Sequence, residues 1–278
     1  MEVKLLKPSG YCFGVSNAIN KVIKLRNDNP STPIYVYGML VHNSFVVDLL
    51  DEYNIVTLSR NADLSKLEKS IIVSTAHGIS NENILKIKEA GHDFIDATCP
   101  IVFKSFTKIK NELQSGNEVI YLGKHNHPES MAAISISNKI HLVTKEEDCL
   151  LLDKKIKYTL TDQTTMTRDE VLKIYDFLIK NGYNVLLMDD VCNATTVRQE
   201  NLIKEANNYD AIFVVGDHKS NNNTKLYNLA KSLNKNSYFI ENKSQIDSQI
   251  KYKKCLVTSG TSTPQEIIDE VVEYLKSL

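Results

Sequence analysis

Val119-Ile120-Tyr121-Leu122-Gly123-Lys124-His125-Asn126-His127-Pro128-Glu129 reads as a short strand, a glycine, and a polar loop that enters a helix. Branched and aromatic side chains suit a pleated, buried surface. Pro128 and Glu129 are ordinary residues for the first helical turn. The pattern recurs twice: Ile34-Tyr-Val-Tyr37 precedes Gly38, and Ala211-Ile-Phe-Val-Val215 precedes Gly216. Four residues past each glycine stands a polar side chain, respectively His127, His42 and Ser220.

Upstream of each glycine is a cysteine at nearly constant distance. Cys12, Cys99 and Cys192 precede Gly38, Gly123 and Gly216 by 26, 24 and 24 residues. Each cysteine follows an apolar run (Val3 to Leu6, Phe94 to Ile95, Val185 to Met188) and opens a helical pattern. The apolar positions are Val15, Ala18, Ile19 and Val22; then Val102, Phe106, Ile109 and Leu113; then Val197, Ile203 and Ala206, at spacings that share one helical face. Downstream, a further strand in each unit ends in a polar turn holding His77, Thr164 or Ser262, which lie 65, 65 and 70 residues past the cysteines.

Length alone suggests about two domains, but self-similarity at a fixed period divides the chain differently. It predicts an α/β protein of three small parallel-sheet units, residues 1–97, 98–190 and 191–278, arranged with pseudo-threefold symmetry around a central site. Ligands of parallel sheets collect beyond the carboxyl ends of the strands. The cysteines and the polar residues just named all fall at such ends.

Composition narrows the function. With 33 basic and 34 acidic residues in 278, the net charge is −1, which argues against a general nucleic-acid binder. No apolar run approaches the roughly 20 residues of a membrane span, and Met1 to Gly14 lacks the apolar stretch of a secretory signal. The expected compartment is the cytoplasm, with no membrane partner. There is no Gly-x-Gly-x-x-Gly, Walker loop, Gly-x-Ser-x-Gly elbow or local Cys-x-x-Cys, so nicotinamide binding, nucleotide hydrolysis and serine hydrolase chemistry lose their usual support.

Five cysteines are too few for a disulfide scaffold. Cys149 and Cys255 have no counterparts in the repeat and read as core residues. Cys12, Cys99 and Cys192 have turn-rich, polar flanks that suit ligands on loops. They come from distant parts of the chain, unlike zinc sites, which draw at least two ligands from one short motif. Soft thiolates also suit iron–sulfur clusters, and a cubane with three cysteines leaves one iron open as a Lewis acid. A zinc-dependent or metal-free binding protein for a phosphorylated metabolite remains the alternative on the residues alone.

Around these positions His42, His77, His127, Thr164, Thr165, Ser220, Asn221, Asn222 and Ser262 supply many neutral donors, which suit a phosphate or diphosphate. Glu129 is the one carboxylate among the matched loop positions and the candidate proton donor. Asp96 and Asp190 read as turn or cap residues. The remaining histidines, His92, His125, His141 and His218, read as surface or internally satisfied.

The segments Gly-Tyr-Cys12-Phe-Gly-Val, Val-His42-Asn, Ala-His77-Gly, Asp-Ala-Thr-Cys99-Pro, His127-Pro-Glu129, Gln163-Thr-Thr165, Cys192-Asn-Ala-Thr-Thr-x-Arg198-Gln-Glu200, Ser220-Asn-Asn222 and Gly260-Thr-Ser262 occur in this order. Together they resemble the LytB family of 4-hydroxy-3-methylbut-2-enyl diphosphate reductases over nearly the whole chain. The resemblance implies a three-lobed α/β fold around a [4Fe-4S] cluster held by Cys12, Cys99 and Cys192, with the fourth iron open to the substrate hydroxyl. It implies a diphosphate gripped by His42, His77, His127, Ser220, Asn222 and Ser262, with Thr164 and Thr165 beside the substrate and Glu129 delivering the proton. The implied reaction is a two-electron reductive dehydroxylation giving isopentenyl and dimethylallyl diphosphates in non-mevalonate isoprenoid biosynthesis. Ferredoxin or flavodoxin is the expected electron donor, since no nicotinamide or flavin site is evident. Many relatives carry Ser-Ser-Asn where this chain has Ser220-Asn221-Asn222, so the middle position offers an amide in place of a hydroxyl, a change that a main-chain contact from Asn221 to substrate would survive. Some also carry an RNA-binding-type domain after the catalytic part, which is not expected here.

Overall fold

The computed structural model describes residues 1–188 and 191–278, so Asp190 lies outside the described residues. The chain begins with β1 (Glu2–Leu5) and, past Cys12, helix α1 (Phe13–Asp28). A first sheet is built from β2 (Ile34–Tyr37), β3 (Ile55–Leu58), β4 (Ile71–Val73) and β5 (Asp93–Ile95). Helix α2 (Ser44–Glu52) connects β2 to β3, and α3 (Asn81–Glu89) connects β4 to β5. After Cys99, α4 (Pro100–Gln114) leads into a second sheet of β6 (Glu118–Leu122), β7 (Ile140–Val143), β8 (Lys157–Asp162) and β9 (Asn184–Leu187). Its crossovers carry α5 (Pro128–Ile134) and α6 (Arg168–Lys180). After Cys192, α7 (Asn193–Glu205) leads to β10 (Ala211–Val215), α8 (Asn221–Leu233), β11 (Ser237–Ile240), β12 (Lys254–Ser259) and α9 (Gln265–Ser277).

The third sheet has only three strands from this last stretch, and β1 supplies the fourth, pairing in parallel from Glu2 with Lys254 to Leu5 with Val257. All three sheets therefore share one spatial order, β3-β2-β4-β5, β7-β6-β8-β9 and β11-β10-β12-β1. Every pairing is parallel, as strands joined by helical crossovers require. The expected three parallel-sheet units are thus present. The strand before each of the three cysteines, β1, β5 or β9, closes the edge of one sheet, and the helix after it leads into the next.

By packing, the chain divides into two compact units. One comprises Met1–Asn17, Val41–Leu49 and Asn193–Leu278, and the other Ala18–Leu40 and Leu50–Cys192. In the larger unit, alternation along β6 sends Ile120 and Leu122 to one face of their sheet, packed with Leu160, Ile174 and Leu178. Val119 and Tyr121 go to the other, packed with Ile109 and Ala133. Burial of each such aliphatic side chain contributes about 1.5–3 kcal/mol. Helix α6 shows why these crossovers form where they do. Thr167 caps it, accepting from the Glu170 amide (3.2 Å) while Glu170 accepts from the Thr167 amide (2.7 Å). Its apolar positions Val171, Ile174 and Leu178 are buried.

Two of the expected helical faces match: Val15, Ala18, Ile19 and Val22 of α1 are buried, as are Val102 and Ile109 of α4. The face of α7 differs. It buries Thr195, Arg198 and Leu202, leaving Ile203 51% exposed. The cause is the Arg198 guanidinium, whose hydrogen bonds are described below.

Candidate active site

In the larger unit a continuous series of contacts joins most of the expected residues. Cys99 precedes Pro100 at the start of α4, and its amide donates to the Ala76 carbonyl (2.9 Å) in the turn after β4. The next residue is His77, followed by Gly78 at φ +90°, where a Cβ would stand 2.9 Å from the Phe106 ring. The His77 ring meets the His127 ring edge-on, with centroids 5.3 Å apart. His127 is buried at the cap of α5 and its Nδ1 accepts from the Glu129 amide (3.2 Å). A neutral imidazole accepting at Nδ1 carries its proton on Nε2.

Glu129 is 1% exposed. Its Oε1 accepts from the Thr164 amide (2.7 Å) and the Tyr121 hydroxyl (3.3 Å), and its Oε2 from the Thr164 hydroxyl (3.0 Å). The Thr164 carbonyl in turn accepts from the Cys192 amide (3.2 Å). Gln163 steadies the same turn, donating from Nε2 to the Thr165 hydroxyl (2.6 Å) and accepting from the Lys124 amide (3.1 Å). Cys99, His77, His127, Glu129, Thr164, Thr165 and Cys192 are therefore gathered at the carboxyl ends of β4, β6 and β8. Asp96 is a turn residue as expected, accepting from Ser74 (2.8 Å) and from the Thr98 amide (2.9 Å). Burial pushes its carboxyl up, but these donors and Lys21 outweigh that and hold it below the ordinary range.

The other unit gathers a different set. The Cys12 amide donates to the Thr261 carbonyl (2.9 Å), in the turn after β12 that also carries Ser262. Asn43, the neighbour of His42, donates from Nδ2 to the Ser262 carbonyl (2.7 Å). Ser44 donates through its amide (2.7 Å) and hydroxyl (2.8 Å) to Oδ2 of Asp217, at the end of β10. Burial raises the Asp217 carboxyl, and the amides of Lys219 and Ser44, the Ser44 hydroxyl and the Lys219 charge more than offset it, so the net shift is downward. Ser220 caps α8, accepting from the Asn223 amide (3.4 Å). Asn221 and Asn222 are buried in the first turn, and Asn222 donates to the Thr261 hydroxyl (3.2 Å). The Ser262 hydroxyl oxygen is buried with no hydrogen-bond partner among the described residues.

Sequence reasoning gave no role to Arg198, Asn43, Asp217 or Tyr121. Arg198 is 3% exposed. It donates to the Ser259 carbonyl (2.7 Å), the Ser259 hydroxyl (3.1 Å) and the Gly260 carbonyl (3.1 Å), and from Nη2 to the Gly10 carbonyl (2.7 Å). It thereby ties the loop before Cys12 to the turn before Ser262. Asn43 was findable as a cap: its Oδ1 accepts from the Phe45 amide (2.9 Å) at the start of α2.

The five cysteines separate cleanly. Cys149 and Cys255 are fully buried in apolar clusters, and burial pushes both thiols up to about 11. Cys12, Cys99 and Cys192 are partly exposed, each immediately before a helix. Among the described residues no three His, Cys, Asp or Glu side chains are grouped closely enough to hold a single metal ion. The other histidines are internally satisfied or exposed: His92 bonds Ser70 and the Leu64 carbonyl (both 2.9 Å), and His141 bonds Glu118 (2.6 Å).

Fold and site define a parallel α/β protein whose ligand-end loops bear accessible thiols, a buried carboxyl and a shell of neutral donors. A model of the LytB protein family matches residues 3–276, and the chain belongs to that family. It is 38% identical to a 4-hydroxy-3-methylbut-2-enyl diphosphate reductase of Anoxybacillus flavithermus, over 99% of this chain and 90% of that protein. It is 35% identical to the same-named protein of Symbiobacterium thermophilum, over 99% and 97%. Among solved structures, the E-1-hydroxy-2-methyl-but-2-enyl-4-diphosphate reductase of Plasmodium falciparum superposes with a TM-score of 0.91 at 28% identity, covering 99% of this chain and 88% of that one. A second, described as the terminal enzyme of the non-mevalonate pathway, gives 0.71 at 25% identity, covering 100% and 99%.

Proposed function

We infer that this chain is a 4-hydroxy-3-methylbut-2-enyl diphosphate reductase acting in the non-mevalonate pathway, on the strength of its family and its near full-length relatives. The family is one of iron–sulfur enzymes. The donor set fits a cluster: the three cysteines matched by the repeat are partly exposed and stand before helices, whereas the two unmatched ones are buried with raised pKa values. A cubane asks for one thiolate per iron rather than several ligands about one ion. Cys12, Cys99 and Cys192 are the proposed ligands. When bound, a [4Fe-4S] cluster supplies electrons and an iron without a protein ligand that serves as a Lewis acid.

The rest is the work of the protein's own side chains. His42, His77, His127, Ser220, Asn221, Asn222 and Ser262 are the proposed diphosphate-binding residues. Ser262 carries most weight here. A buried hydroxyl without a partner costs about 1–3 kcal/mol, and a phosphoryl oxygen satisfies it. Neutral donors strengthen when water is excluded. Hydroxide is a poor leaving group, so the departing oxygen needs a proton to leave as water. Glu129 is the proposed holder of that proton, on the Oε2 that meets the Thr164 hydroxyl, with His127 beside it and Thr165 next to Thr164 in the chain.

No helix among the described residues is long and apolar enough to cross a membrane. The proposed compartment is the cytoplasm, where reduced thiols persist, and the proposed electron donor is ferredoxin or flavodoxin. Anaerobic purification with iron, sulfide and zinc analysis tests the assignment. Brown protein with about four irons and four sulfides that turns over the allylic diphosphate supports it. Zinc, or no metal after anaerobic reconstitution, overturns it.

A further inference from the structure

Tyr121 sits where strand alternation calls for an apolar residue. It is 0% exposed, on the face of β6 shared with Val119, and its ring packs with Ile109 and Ala133. Gly123 closes over it: a Cβ there would stand 3.0 Å from Tyr121 Cε1. A buried tyrosine hydroxyl needs a partner, and here the partner is Oε1 of Glu129 at 3.3 Å. Phenylalanine fills the same space without that bond.

We propose that Tyr121 is a positioning residue that fixes which oxygen of Glu129 carries the transferable proton. Oε1 already accepts from the Thr164 amide (2.7 Å), a group that only donates. With Tyr121 as second donor, Oε1 is committed as an acceptor. Oε2 faces the Thr164 hydroxyl (3.0 Å), which both donates and accepts. The proton is therefore held on Oε2, with Thr164 as its first neighbour. The inference rests on Glu129 being the acid of the proposed reaction.

Tyr121 of β6, Thr164 after β8, and His127, whose ring lies against His77 from the turn after β4, face Glu129 from the packed elements. Asp162 points to the opposite face of β8 by alternation from Thr161, the register partner of Tyr121. Removing the tyrosine donor weakens the ionised carboxylate, so protonation of Glu129 moves to higher pH.

The test is Tyr121→Phe, alone and combined with Glu129→Gln. The expected result is a fall of roughly 5–10-fold in kcat with KM for the diphosphate changed less than about twofold, and no further loss in the Glu129→Gln background. An independent readout is the infrared titration of the Glu129 carboxyl in cluster-free protein, assigned by difference against Glu129→Gln. It moves to higher pH in Tyr121→Phe. Should that variant fold poorly, 3-fluorotyrosine at 121 keeps the packing and strengthens the donor, and the titration moves to lower pH. Unchanged titration in both variants, or a Tyr121→Phe defect that adds fully to that of Glu129→Gln, overturns the inference. Retained activity in Glu129→Gln overturns the acid assignment itself, which separates the two failures.

Discussion

Two loops occupy the same place in the repeat and do opposite things with their charge. After β6 the chain passes Gly123 into His127-Pro128-Glu129, and after β10 it passes Gly216 into Ser220-Asn221-Asn222. The first presents a buried carboxyl, Glu129, to donors on Thr164 and Tyr121. The second also owns a buried carboxyl, Asp217, but turns it onto Ser44, and the side chains that follow at the start of α8, Ser220, Asn221 and Asn222, are neutral. A carboxylate beside a diphosphate costs binding by like-charge repulsion, while a carboxyl beside a leaving oxygen supplies its proton. On the proposed function, the same turn serves proton chemistry in one unit and anion binding in the other, according to where its acid is engaged.

The largest effect expected from breaking this contrast is at Glu129. Glu129→Gln keeps the shape and removes the acid, so kcat falls about 10²–10⁴-fold with little change in KM. A steady-state assay that finds mainly KM altered would move Glu129 into the binding shell and erase the difference between the loops.

Next in size is Gly260→Ala, on the neutral side. A Cβ there would lie 1.3 Å from Asn223 Oδ1, and one at Gly216 would lie 2.1 Å from Asn223 Nδ2. The Asn223 amide, bonded to the Asp217 carbonyl (3.1 Å), therefore fills the space between the two strand ends. Gly260→Ala should cost about 1–3 kcal/mol in chemical denaturation, and Asn223→Ala should suppress most of that cost in the double variant.

Ser262→Ala separates binding from stability. Removing a buried hydroxyl that lacks a partner leaves the cluster-free protein as stable as before or slightly more so. Affinity for inorganic diphosphate falls about tenfold by calorimetry, roughly the 1.4 kcal/mol of one hydrogen bond. Ser220→Ala makes the control, because it also loses a helix cap and about 1 kcal/mol of stability.

The parts of this arrangement that sequence reveals are those with a local signature. Strand, glycine and polar loop repeat because each strand must end in a turn, and β-branched runs such as Ala211–Val215 mark the strands. The pairing of β1 with β12 has no such mark: its half-exposed alternation fits an edge strand of any sheet, and only the third sheet lacks one. Arg198 was hidden for another reason. Arginine is rarely buried without a recognisable partner, and here its acceptors at Gly10, Ser259 and Gly260 are mainly backbone carbonyls that leave no trace in side-chain identity. Tyr121 reads as core from its strand position, and its hydroxyl acquires a role only through the fold that brings Glu129 to it.

The smallest effect is the most direct check on why the second loop is neutral. Asp217 lies below the ordinary carboxylate range in the folded protein because its donors outweigh burial. A depressed folded value means stabilisation is present above the unfolded value of about 3.9 and disappears as pH falls through the folded one. Asp217→Asn keeps an acceptor but loses the charge, so at pH 7 it should be less stable by about 1 kcal/mol. Below about pH 4 the gap to wild type should narrow and then close, because protonated Asp217 and asparagine then make similar bonds. A gap constant from pH 7 to pH 3 would mean that Asp217 acts by shape alone, and that the neutrality of this loop does not depend on engaging its acid at Ser44.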